Sequence, residues 1–135
     1  MGVLTRFHKP KTASLYTAVG GHEALEVVVE DFYCRVLDDD HLASFFAGSD
    51  MKRLKAKLVE LLASVLGGPE LYTGESMKQA HEDRGILMRH FTLMTSHLKD
   101  SLCAAGWPPE AVAQILGFVA QQAGDIAVDN ATARV

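Results

Sequence analysis

Glycine punctuation of a helical repeat is the feature that most narrows the folds open to this chain. Apolar residues recur at intervals of three and four from Leu25 to Val119, and the runs are cut at Gly20-Gly21, at Gly67-Gly68-Pro69 and at Gly106 ahead of Pro108-Pro109. Such intervals put side chains on one helical face, whereas a half-buried strand needs strict alternation, which no stretch here shows. Glycine permits the left-handed exit that closes a helix, and proline opens one with φ already set. The pattern predicts an all-α domain with four main helices, whose short connections force antiparallel neighbours and favour two helix pairs crossing over a shared interior.

Ser14 is placed to cap a short first helix, SLYTAV, ahead of Gly20-Gly21. In the next segment Leu25, Val28, Val29, Phe32, Val36 and Leu37 form an apolar face, Tyr33 shares the side of Val29 and Leu37, and Glu26, Glu30 and Arg35 face water. Asp38 to Asp40 end that helix, and HLASFFAGS is short enough only for one or two tight turns carrying Phe45 and Phe46 inward. Ser49 or Asp50 then caps a helix with the stripe Met51, Leu54, Leu58, Leu61, Leu62 and Val65, bordered by Lys52, Lys55, Lys57 and Glu60. Residues 69–85 show little periodicity, and in a compact domain a stretch of that length usually has a function or a ligand to hold it. Counting the short first one, the fourth helix runs from about Ile86 to Ala105 with Leu87, Phe91, Met94, Leu98 and Leu102 on one face, and the fifth carries Val112, Ile115, Leu116, Val119 and Ala123. Residues 1–13 read as a flexible basic lead, 14–127 as the domain and 128–135 as a frayed tail.

At 135 residues the chain can remove roughly two-thirds of its unfolded surface from water, so it needs no disulfide or metal staple. Cys34 and Cys103 both fall in helical patterns and read as core or near-core thiols. A net charge of -4 speaks against nucleic acid as a partner. No run approaches the roughly 20 apolar residues of a membrane span, and the amino terminus lacks the apolar segment of a secretory signal, so the expected location is the cytoplasm. MGVLTR carries Arg6 where a myristoylation site needs Ser or Thr.

Nucleophile-elbow, P-loop, dinucleotide and zinc signatures are missing from the sequence. His90 and His97 are spaced to share a helical face, but no third ligand stands in register. The acidic residues lie on wet faces or in the Asp38 to Asp40 turn, which leaves no paired-carboxylate site. What remains is chemistry in which the protein donates one axial ligand and a dry slot, and a cofactor does the rest. His81 suits that role, preceded by Met77 and followed by Ile86, Met88 and Phe91, with Phe46, Leu54 and Leu58 on the opposing pair. A flat macrocycle with carboxylates also needs a polar edge, which Lys57 and Tyr72 can serve. His8, His22, His41, His90 and His97 have no comparable setting.

YTAVGGHEALEVVVEDFYCRVLDDDHLASFF, then LGGP and YTGESMKQAHEDRGI, resembles the group I truncated haemoglobins over about Tyr16 to Val119. The resemblance implies a truncated globin fold, a two-over-two helical sandwich, holding haem b with His81 as proximal iron ligand. It further implies Phe46 stacked on the macrocycle and Tyr33 over the open sixth position, where its hydroxyl donates to bound O2. Leu54, Leu58, Leu62, Val65, Leu66, Ile115 and Val119 then line an apolar passage for O2, NO and CO. The activity implied is gas binding with dioxygenase-type conversion of NO to nitrate, which needs an electron-donating reductase; the alternative is O2 or NO storage, transport or sensing without turnover. A monomer or weak homodimer is expected. Leu58 stands where many relatives carry glutamine and Leu62 where many carry phenylalanine, so ligand retention falls to Tyr33 and no aromatic gate exists at residue 62.

Overall fold

The computed structural model describes residues 11–68 and 87–122, with no side-chain description for 11–14. Among the described residues there are five α-helices and one 3-10 turn, in the order α1 Lys11–Val19, α2 Gly21–Leu37, the turn Ala43–Phe46, α3 Met51–Val65, α4 Met88–Ala104 and α5 Pro109–Gln121. No described residue belongs to an extended sheet. Helix α2 packs on both α3 and α4, α5 packs on α3 and α4, and α1 lies against α2 and α5. The helices thus pack around one shared interior, as the expected arrangement of helix pairs requires.

The double-glycine breaks act together. Gly20 adopts a φ of 112°, which L side chains rarely take, and this lets α2 start directly after α1. A Cβ built on Gly68 would lie 2.4 Å from the Tyr16 ring, and one on Gly21 would lie 3.8 Å from the same ring. Tyr16 thus fills the space between the two breaks and joins the start of α2 to the end of α3. At the other end of the domain Gly106 (φ 73°) ends α4, Trp107 is buried, and Pro109 opens α5.

Leu25, Val28, Val29, Phe32, Tyr33 and Val36 of α2 are buried as the periodicity predicts. Leu37 is not: it is 41 % exposed, because it ends the helix just before the Asp38 C-cap and the chain turns away from the core there. Helix α1 begins three residues ahead of the expected Ser14 cap, so Ser14 lies inside it. Asp50, rather than Ser49, caps α3, with Oδ1 accepting the Arg53 N–H at 3.2 Å.

Helix α3 is rotated by about one position from its expected stripe. Val59, Leu62, Ala63 and Leu66 are buried, while Met51, Leu54, Leu58, Leu61 and Val65 run half-buried along one flank of that face. Ala63 is fully buried, and the larger side chains lie to the side. In α4, Phe91, Leu98 and Leu102 are buried and Met94 is half-buried; in α5, Ile115 is buried with Ala111, and Val112, Leu116 and Val119 are half-buried. Ala123 lies outside the described residues. Cys34 and Cys103 are free and both exposed, on the outer faces of α2 and α4, which corrects the expectation of near-core thiols. Among the described residues no helix is long and apolar enough to cross a membrane.

Candidate functional site

Tyr33 sits in the middle of the hydrophobic core on α2, 8 % exposed. Its ring meets Phe32 edge-on with centroids 5.0 Å apart, and meets Phe46 of the 3-10 turn at 5.8 Å and 82°. Edge-to-face contact lets the positive rim of one ring meet the negative face of the other, so the corner and α2 are held at a defined angle. Phe46 and its neighbour Phe45 are half-buried and pack on the main core, together with Leu54 and Leu58 of α3.

A second, smaller cluster forms around buried Phe91 near the start of α4, where Phe45, Met88, Met94 and Val119 close on it. Phe45, Met94 and Val119 also touch the main core, so the two clusters are continuous. The structure thus brings together six of the side chains the sequence proposes for a cofactor slot: Phe46, Leu54 and Leu58 in the main cluster, and Met88, Phe91 and Val119 around the smaller one. Ile115 is fully buried in the core, as are Leu62 and Leu66, both expected along an apolar passage. Lys57 is 30 % exposed with Nζ 3.7 Å from Glu60 Oε1. His81, Tyr72, Met77 and Ile86 lie outside the described residues.

Several polar ties run along or between the elements that carry these side chains. Asp39 Oδ2 lies 2.8 Å from His97 Nε2, and Asp39 Oδ1 accepts the His41 N–H at 2.9 Å. The hydrogen bond with His97, then that from His41, holds the Asp39 carboxyl below the usual carboxylate range, against an opposing push from burial. Lys55 Nζ pairs with Glu30 Oε1 at 3.0 Å and links α3 to α2. Arg35 Nε donates to Asp31 Oδ2 at 2.9 Å along α2. No group of three or more His, Cys, Asp or Glu able to hold a metal ion occurs among the described residues.

His90 has a role that sequence reasoning missed. Its Nδ1 accepts the Leu87 N–H at 3.0 Å, and its ring meets Phe45 edge-on at 4.9 Å and 71°. Because α4 begins at Met88 and not at Ile86, His90 falls at the third helical position, from which a side chain reaches back to the residue before the helix. The two-residue shift in the boundary hid that signal. The Asp39–His97 tie spans 58 positions and had no local signature at all.

The profile of the bacterial-like globins matches residues 14–128. The group 1 truncated haemoglobin GlbN of Mycolicibacterium paratuberculosis is 56 % identical over 131 residues, covering 97 % of this chain and 96 % of that one. The chain belongs to the group 1 truncated haemoglobins. Solved truncated haemoglobins share its architecture. That of Tetrahymena pyriformis in the Fe(III) form aligns with a TM-score of 0.77 at 26 % identity, over 84 % of this chain and 97 % of that one. The 2/2 haemoglobin of a Synechococcus species, solved in the cyanomet state with covalently attached haem, aligns with a TM-score of 0.77 at 28 % identity, over 83 % and 96 %. Tyr33 and Phe46 pack in the main cluster, and Met88 with Phe91 in the smaller cluster that joins it.

Proposed function

We propose that the chain binds haem b between these two clusters and uses it to bind O2 and other diatomic gases and to convert NO to nitrate. The observation that carries the reading is Tyr33, a phenol inside an apolar core and braced by Phe46, in a chain of the truncated haemoglobin family. The residues suit the group: apolar side chains from the corner, α3, α4 and α5 make up the two joined clusters, and Asp31 and Asp39 are engaged by Arg35 and by His97 with the His41 N–H.

Haem, when bound, supplies an iron that takes up O2, oxidises NO to nitrate with both oxygen atoms and is left ferric, so that an external electron-donating reductase must complete each turnover. The remaining work belongs to the chain. His81 is the proposed iron ligand through one neutral ring nitrogen, with the other N–H donating to an acceptor that fixes ring direction. Tyr33 holds its hydroxyl proton toward the open side of the pocket, where developing negative charge on a bound gas is stabilised by a charge-assisted hydrogen bond. Phe46 stacks on one face of the macrocycle, and Leu54, Leu58, Met77, Ile86, Met88, Phe91, Ile115 and Val119 exclude water. Lys57 and Tyr72 serve the carboxylate edge.

The deciding experiment mixes air-equilibrated, reduced, haem-loaded protein with NO and follows nitrate. Fast stoichiometric nitrate supports turnover; slow reaction with nitrosyl accumulation points to gas storage, transport or sensing.

A further inference from the structure

We propose that His90 is a positioning residue of the haem pocket: its uncharged imidazole fixes where α4 begins and braces the Phe45–Phe46 corner. The inference rests on the haem reading above and adds a residue to it. Three observations meet at this side chain. First, Nδ1 accepts the Leu87 N–H at 3.0 Å, so that nitrogen carries a lone pair and the ring proton sits on Nε2. Secondly, the ring packs edge-on against Phe45 with centroids 4.9 Å apart. Thirdly, Phe45 belongs to the cluster around Phe91, Met88, Met94 and Val119 and directly precedes Phe46, whose ring braces Tyr33. One imidazole therefore links the first turn of α4 to the corner that carries the pocket's aromatic face. His97, two turns further along α4, ties the same corner region through Asp39.

A protonated ring cannot accept the Leu87 N–H, so acid removes the cap. Among the described residues, the charges that bear on His90 work against that protonation. Burial is the main cause, followed by Arg89 on its own helix and His41 ahead of the corner, and together they hold the imidazole below the usual histidine range. Helix α5 brings Val119 to this cluster, and its described acid, Glu110, lies in the first turn at the far end. The cap is thus complete at neutral pH, and it is lost as pH falls through the depressed value.

The test uses full-length, haem-loaded protein with three variants: H90Q keeps an uncharged acceptor at the same helical position, H90F keeps a ring without the acceptor, and H90A keeps neither. Transfer of haem to excess apomyoglobin at neutral pH reads the pocket, and NMR exchange of the Leu87 amide against pH reads the cap. We expect H90A to release haem on the order of tenfold faster, with H90Q and H90F each restoring part of the loss. In the unaltered protein Leu87 protection falls as the His90 ring titrates, and in H90Q it is independent of pH over that range. Haem loss from H90A within a factor of two of the unaltered protein overturns the inference, as does a Leu87 amide indifferent to His90 titration. Failure of the unaltered protein to take up haem overturns the underlying haem reading instead, while the amide measurement still decides the cap.

Discussion

Tyr33 and Phe46 meet edge to face, with ring centroids 5.8 Å apart and planes at 82°. Residues from the middle of α2 and the end of a short turn are thereby fixed against each other, and packing holds the phenol ring in place inside the core. Preorganisation of this kind lets one hydrogen bond contribute its full strength, because no side chain has to be ordered when the gas binds.

Replacing Tyr33 with phenylalanine keeps both ring contacts and removes only the hydroxyl. A charge-assisted hydrogen bond is worth about 1.5–3 kcal/mol, so Y33F should release O2 about ten- to a hundredfold faster. Stopped-flow displacement of O2 measures this. An unchanged rate removes Tyr33 from the proposed ligand site.

Leu58 presents the complementary case. It is half-buried on the flank of α3 and packs against the core that holds Tyr33. L58Q adds a second donor on that flank, and O2 release should slow by up to about tenfold, the effect of one further hydrogen bond of about 1 kcal/mol or slightly more. A rate equal to that of the unaltered protein shows that residue 58 does not reach the ligand.

Much of this arrangement is legible in the sequence, and the reasons for success and failure are physical. The α2 face reads correctly, Leu37 apart, because six apolar or aromatic positions at helical spacing leave the helix one way to turn. Helix α3 reads one position out of phase because Met51, Leu54, Leu58, Leu61 and Val65 outnumber the residues that are buried, and only tertiary packing shows that Ala63 lies on the buried face. Phe45 and Phe46 are foreseeable as a corner, yet the partner of Phe45 is His90, set by a helix boundary two residues from its expected place. Cys34 and Cys103 show the limit of reading burial from a helical pattern alone, since a helix also has an outer face.

The two glycine breaks depend on Tyr16. A methyl at Gly68 would come within 2.4 Å of the ring, so G68A should destabilise the fold by about 1–3 kcal/mol, the usual cost of overpacking. Denaturant titration checks this. Combining G68A with Y16A should recover part of the loss, because the clash and the ring disappear together; strict additivity would show that the two residues do not touch.

Asp39 links the turn after α2 to α4 through His97. Its carboxyl titrates below the usual range in the folded state, so the folded protein binds fewer protons there than the unfolded chain does. The resulting stabilisation is complete above the ordinary carboxylate pKa and disappears as pH falls through the lowered folded value. D39N should therefore be less stable than the unaltered chain at neutral pH, and the difference should shrink on acidification. Thermal unfolding midpoints at a series of pH values give the comparison; a constant difference contradicts the pairing.

The account turns on one bond from His81 to haem iron, and absorption spectroscopy of the reduced protein with and without carbon monoxide tests it most directly. The unaltered chain should show a Soret band with the signature of a histidine-ligated ferrous haem that shifts on adding carbon monoxide, and H81A should lose either the pigment or that signature. An H81A protein that folds, keeps its haem and gives the same ferrous spectrum would contradict the account.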